Sequence, residues 1–161
     1  MDIIEAMNAR HSVRQYETTA LTSEQIAALQ EEIEVCNQEG GLHIQLVTDE
    51  PKAFDSFMAH YGKFSGVTNY IALIGKKSPE LEEKCGYYGE RLVLLAQQLG
   101  LNTCWVAMTY KKIPSAFQIN SGEKLAVVIA LGYGKTQGAA HRSKSLSDVA
   151  ICSLVSAVVS Y

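Results

Sequence analysis

Four cysteines occur in 161 residues, and none belongs to a C-x-x-C pair or a Cys/His cluster, so the chain lacks the pattern of a disulfide scaffold or a structural zinc site. Cys36, Cys85, Cys104 and Cys152 read as separate, reduced, buried thiols. Prolines number only three, and 47% of residues are hydrophobic against 19% charged, which excludes disordered and collagen-like classes. Basic surplus is missing too. Fourteen Lys+Arg against seventeen Asp+Glu give a formal net charge of -3, so no nucleic-acid partner is expected and any anion site must be local. The longest uncharged apolar stretch, Val149 to Tyr161, falls short of the ~20 residues that cross a bilayer. Met1 to Arg10 carries Asp2 and Glu5 and no apolar run of leader length, so the start reads as mature sequence of a cytoplasmic protein with no membrane contact.

The common catalytic signatures are also absent. Gly134-Lys135-Thr136 ends like a phosphate-binding loop, but the glycine required five positions before Gly134 is Ile129. No G-x-G-x-x-G follows a strand, and no G-x-S-x-G elbow occurs. His43 and His60 have no nucleophile or metal partner in sequence; His43, on the polar side of an alternating segment, reads as a plain surface residue.

What is present is the patterning of one α+β domain, long enough to bury about two thirds of its unfolded surface. Ile3, Ile4 and Met7 predict a short amphipathic helix over 2–9. Thr22 and Gln25 form a capping box, and Ile26, Leu29, Ile33 and Cys36 share a helical face up to Gly40-Gly41. Leu42 to Thr48 alternates like a strand with one wet face. Pro51 opens a helix over 51–60 with Phe54, Phe57 and Met58 on it. Tyr70 to Ile74 is continuously apolar, as in a strand covered on both faces. Pro79 to Leu99 predicts a long helix, enclosed in its second half. Thr103–Met108 and Leu125–Tyr133 follow as interior strands, and Gly134–Lys144 as a loop. Trp105, Tyr87 and Tyr88 read as packing residues.

Two basic clusters remain. Arg10-His11-Ser12-Val13-Arg14 follows the first helix, and His141-Arg142-Ser143-Lys144 follows the last loop. Each sets two permanent cations about a hydroxyl, a donor set suited to phosphate. Taken singly, each reads more readily as a solvated surface turn.

The run I-I-E-A-M-N-A-R-H-S-V-R-Q-Y from Ile3 to Tyr16 resembles the opening helix and R-[RH]-S-x-[RK]-x-[YF] motif of the nitroreductase family. G-Y-Y-G-E-R-L-V-L-L-A-Q-Q-L-G-L-N-T-C-W-V from Gly86 to Val106 is similar to its central helix and next strand. V-V-I-A-L-G-Y from Val127 to Tyr133 and R-S-K-S-L-S-D-V from Arg142 to Val149 are similar to its closing strand and R-x-K-x-L tail. The resemblance implies a nitroreductase-like mixed or antiparallel sheet flanked by helices, with a long buried central helix. It implies one domain over residues 1–149, followed by a divergent apolar tail over 150–161. The P-S-x-x-N-x-Q-P-like segment of many members is replaced here by Glu34 to Gly41, with only an Asn and a Gln in common. That arrangement is similar to the longer subgroup with a C-terminal extension, and the resemblance then implies a shortened form ending at Tyr161.

Carried over to these positions, the resemblance implies bound FMN. Arg10, His11 and Ser12 would hold its phosphate, joined by Arg142 and Lys144, and Arg14 would lie nearer the ring, where a cation stabilises reduced flavin. No protein catalytic residue is implied, because the chemistry is flavin-borne. The expectation is a homodimeric oxidoreductase taking hydride from NAD(P)H to a small-molecule acceptor, a nitroaromatic or a quinone. Two alternatives stand beside it: a catalytically degenerate protein that still binds flavin or a phosphate ligand, and a fold that binds no flavin.

Overall fold

Capping boxes start both N-terminal helices. The Asp2 carboxylate accepts the Glu5 N–H at 2.8 Å while Glu5 accepts the Asp2 N–H at 2.9 Å, and Thr22 and Gln25 reciprocate in the same way. They open α1 (Ile3–Ala9) and α2 (Ser23–Gly40). The computed structural model describes residues 1–140 and 144–149. The remaining described elements are β1 (Gln45–Val47), α3 (Phe57–Tyr61), β2 (Asn69–Lys76), α4 (Leu81–Gln98), β3 (Asn102–Val106), β4 (Glu123–Gly132) and α5 (Leu146–Val149). The 150–161 tail lies outside the described residues.

The strands form one antiparallel sheet in the order β1-β2-β4-β3. Its central strand, β2, is apolar without interruption because its side chains alternate between two cores. Tyr70, Ala72 and Ile74 join one cluster and Ile71 and Leu73 the other, and Val128 and Ala130 against Ile129 and Leu131 divide β4 likewise. On one face α2 and α4 supply Leu29, Ile33, Leu92, Val93 and Ala96. The other face is covered by chain with little regular structure, which supplies Phe54, Phe64, Val67 and Phe117. The enclosed second half of α4 agrees with its sequence pattern: Leu92, Val93, Leu94 and Ala96 are all buried.

Several expectations are corrected. The helix over 51–60 is reduced to Phe57–Tyr61. Glu50 accepts the Lys52 and Ala53 N–H groups, closing a single turn after Pro51, and the extended Ser56 then starts a separate helix. Phe54 is therefore buried while Phe57 and Met58 face out. β1 is shorter than Leu42–Thr48 because the Asn37 side chain takes both backbone groups of Ile44, at 2.6 and 3.0 Å. Its neighbour His43 is not a plain surface residue: half-buried, it meets Glu123 at 2.9 Å. β3 is buried but lies at the sheet's edge, and Met108 lies beyond it, exposed. Tyr87 is exposed rather than packed in the core. Cys36, Cys85 and Cys104 are buried free thiols as expected, whereas Cys152 lies outside the described residues. Burial raises the thiol pKa of Cys36 and of Cys85 to about 11. Among the described residues no helix is long and apolar enough to cross a membrane.

Candidate functional site

The chain leaves α1 at Arg10, whose N–H closes the last helical turn on Ala6 at 2.9 Å, and then meets the free edge of β3 at Thr103. Ser12 pairs in parallel with Thr103, and the Val13 N–H donates to the Thr103 carbonyl at 3.0 Å. Farther on, the Ser65 N–H donates to the Arg14 carbonyl at 3.0 Å and the Tyr16 N–H to the Ser65 carbonyl at 2.9 Å. Val13 and Tyr16 are drawn into the core, and the Tyr16 hydroxyl donates to the Val13 carbonyl at 2.7 Å. Ser12 and Arg14 are left facing out.

This threading gathers the first cluster. Burial pushes the Cys104 thiol up, while Arg14, a hydrogen bond with Ser12, and Arg10 all pull it the other way. Three members of the cluster thus act electrostatically on one buried sulfur. Arg14 also lies over the Phe64 ring, 5.9 Å from its centroid, an arrangement that attracts a guanidinium to the aromatic face.

Beside Arg14 opens a cleft of about 380 Å³ lined by Tyr61, Lys63, Phe64, Trp105 and Thr109. Lys63 adopts φ +60°, a conformation that costs a side-chain-bearing residue of order 1 to 3 kcal/mol and that clusters at functional sites. Trp105, read from sequence as packing, is only partly buried and forms a wall of this cleft. Tyr61, Lys63 and Phe64 carry no sequence motif. Their signal is the Arg14–Ser65 pairing, which exists only in three dimensions.

The loop after β4 returns to the same place. The Asn102 side chain accepts the Gly134 N–H at 2.9 Å and donates to the Gln137 side chain at 3.0 Å. Gly138, at φ +78°, passes so close to the first cluster that a Cβ there would lie 2.6 Å from the His11 Cβ. The second cluster begins three residues later. Of its members only Lys144 is described, and it is exposed; His141, Arg142 and Ser143 lie outside the described residues. Cations and a hydroxyl beside a cleft walled by rings suit a ligand that joins an anionic group to a planar ring system.

A helix-flanked antiparallel sheet of this kind defines an α+β class of fold that several solved structures share. A nitroreductase-like protein from Streptococcus mutans superposes with a TM-score of 0.74 at 14% identity, over 92% of this chain and 97% of that one. The FMN-dependent nitroreductase of Clostridium difficile matches with a TM-score of 0.68 at 16% identity, over 92% and 98%. A nitroreductase with bound FMN from Bacteroides fragilis matches with a TM-score of 0.65 at 18% identity, over 96% and 99%. No curated protein matches the chain in sequence. The family described as "Putative TM nitroreductase" matches residues 2–156, and the chain belongs to that nitroreductase family.

Proposed function

We propose that the protein is an FMN-dependent NAD(P)H oxidoreductase of nitroreductase type, passing electrons to nitroaromatic or quinone acceptors. The observation that carries this reading is that the basic strip pairs with Thr103 through Ser12 and Val13 and places Arg14 over Phe64 in a cleft walled by Phe64 and Trp105. That donor set fits a phosphorylated planar cofactor, and structural relatives named for FMN share the fold. When bound, FMN supplies two-electron chemistry between the nicotinamide donor and the acceptor.

The chain's own residues bind and orient. Arg10, His11 and Ser12 hold the phosphate, joined by Arg142 and Lys144; the close approach of Gly138 to His11 and Ser12 supports this reading. Arg14, steadied on Phe64, sets positive charge toward the ring, where it favours the reduced, anionic form. A homodimer is part of the proposal. Ile3, Ile4 and Met7, the apolar positions of α1, are 46%, 60% and 51% exposed, a surface that a second copy would cover. Buried, un-ionised thiols agree with a cytoplasmic setting, where NAD(P)H is available.

The purified protein should carry a yellow chromophore identified as FMN by mass, or take it up on reconstitution, and should oxidise NADPH or NADH with a quinone. Arg10→Ala and Arg14→Ala should each weaken FMN by about tenfold or more, the worth of a charge-assisted bond. The double variant Arg142→Ala/Lys144→Ala should do the same. A colourless protein that cannot be reconstituted removes the reading; bound FMN without turnover leaves a binding protein.

A further inference from the structure

The chain contains one tryptophan, and its indole is held from two sides. A Cβ at Gly89 of α4 would lie 2.4 Å from the Cη2 of Trp105, so the ring packs closely against the helix where a side chain is missing. At the ring's polar end the indole N–H donates to Glu90 Oε2 at 3.2 Å. The other carboxylate oxygen of Glu90 faces Arg10, with Nε 3.4 Å from Oε1. The Arg10 side chain is only 18% exposed, against 42% for Glu90. One carboxylate on a rigid helix therefore joins a wall of the cleft to the first arginine of the cluster.

We propose that Glu90 is the positioning residue for anion capture, locking the Arg10 guanidinium to the Trp105 indole so that the two form one preformed unit. This rests on the reading that Arg10 contacts the phosphate of the ligand. An arginine otherwise loses side-chain freedom when it engages an anion, and a carboxylate already anchored by the indole removes much of that loss before the ligand arrives. Glu90 also sets a negative charge near the incoming anion, so the two effects oppose each other. Anchoring prevails here because the indole holds the carboxylate on the Nε side of Arg10.

The experiment is a double-mutant cycle on the full chain, freed of ligand, with wild type, Glu90→Gln, Arg10→Ala and the double variant. Glutamine keeps the shape of the side chain and an oxygen for the indole. FMN affinity is read from quenching of flavin fluorescence, and inorganic phosphate is titrated separately against the emission of Trp105. E90Q should weaken FMN about fivefold while Arg10 is present and cause no further loss in R10A, a coupling of the size neighbouring groups show. Phosphate should change Trp105 emission in wild type and leave it unchanged in both single variants. Tighter or unaltered FMN binding by E90Q, or equal losses in both backgrounds, would overturn the proposal. If R10A itself binds FMN like wild type, the phosphate role of Arg10 has failed, and the positioning role with it; an effect of R10A without one of E90Q removes the positioning role alone.

Discussion

The two faces of the sheet are built by different means. On one, α2 and α4 pack aliphatic side chains against Ile71, Leu73, Ile129 and Leu131. The two helices are further joined by Arg91, which meets Glu32 at 2.6 Å and Glu39 at 2.5 Å and lies over the ring of Tyr88. On the other, irregular chain buries rings: Phe54 lies 5.2 Å from Phe64 and 5.9 Å from Tyr70 between centroids. Side chains that clip backbone hold this second cover in place. Gln45 donates to the Gln118 carbonyl and accepts its N–H, and Glu123 accepts the Asn120 N–H and meets His43. Helices satisfy their own backbone, so their face can be purely apolar; irregular chain cannot, so its face needs polar fastenings. The cleft opens beside the second kind of cover, where segments can be placed one residue at a time.

Truncating a large side chain on each face tests this contrast most strongly. Phe54→Ala should cost about 3 to 5 kcal/mol and Leu92→Ala about 2 to 5 kcal/mol in urea denaturation. Only the first should also weaken FMN, because Phe54 packs on Phe64 at the cleft; equal ligand effects would mean that the faces are not separable. Arg91→Met should cost about 1 kcal/mol, as expected for a half-exposed ion-pair network, and the loss should shrink in high salt. A salt-independent loss would assign Arg91 to packing instead.

Tyr70→Phe sharpens the contrast from the other side. Its hydroxyl is the one buried side-chain polar atom without a hydrogen-bond partner among the described residues, so removing it should leave stability unchanged or raise it by up to about 1 kcal/mol. A clear loss in thermal unfolding would show that the hydroxyl is satisfied in solution. The smallest effect concerns acid. Burial pushes the Glu123 carboxyl up, but hydrogen bonds from His43 and Asn120 more than offset this, leaving it below its ordinary value of 4.5. A lowered folded-state pKa adds stability that is complete above that value and lost as pH falls through the depressed one. Glu123→Gln should therefore flatten the acid limb of stability measured by urea midpoints below pH 5, and an unaltered limb would assign it to other carboxylates.

Legibility in sequence follows the same division. The capping box of α2, the enclosed half of α4 and the unbroken apolar run of β2 declare themselves because regular elements repeat their contacts at a fixed period. The N-terminal cluster is legible as cations set about a hydroxyl, and the structure leaves Ser12 and Arg14 facing out with Arg14 at the cleft; the cluster's role toward phosphate belongs to the proposal. The region after Pro51 departs from its helical spacing because one carboxylate, Glu50, closes a single turn there. Lys63, Phe64 and Glu90 stayed silent, since their roles arise from pairings between residues far apart in the chain.

The strip from Ser12 to Tyr16 does more than present cations. Through Ser12 and the Val13 N–H it pairs with Thr103 and so covers part of the outer edge of β3, an edge of the kind that invites strand-by-strand self-association. A change that loosens this strip should therefore uncover part of a sheet edge as well as displace the cations that the proposed function assigns to the ligand.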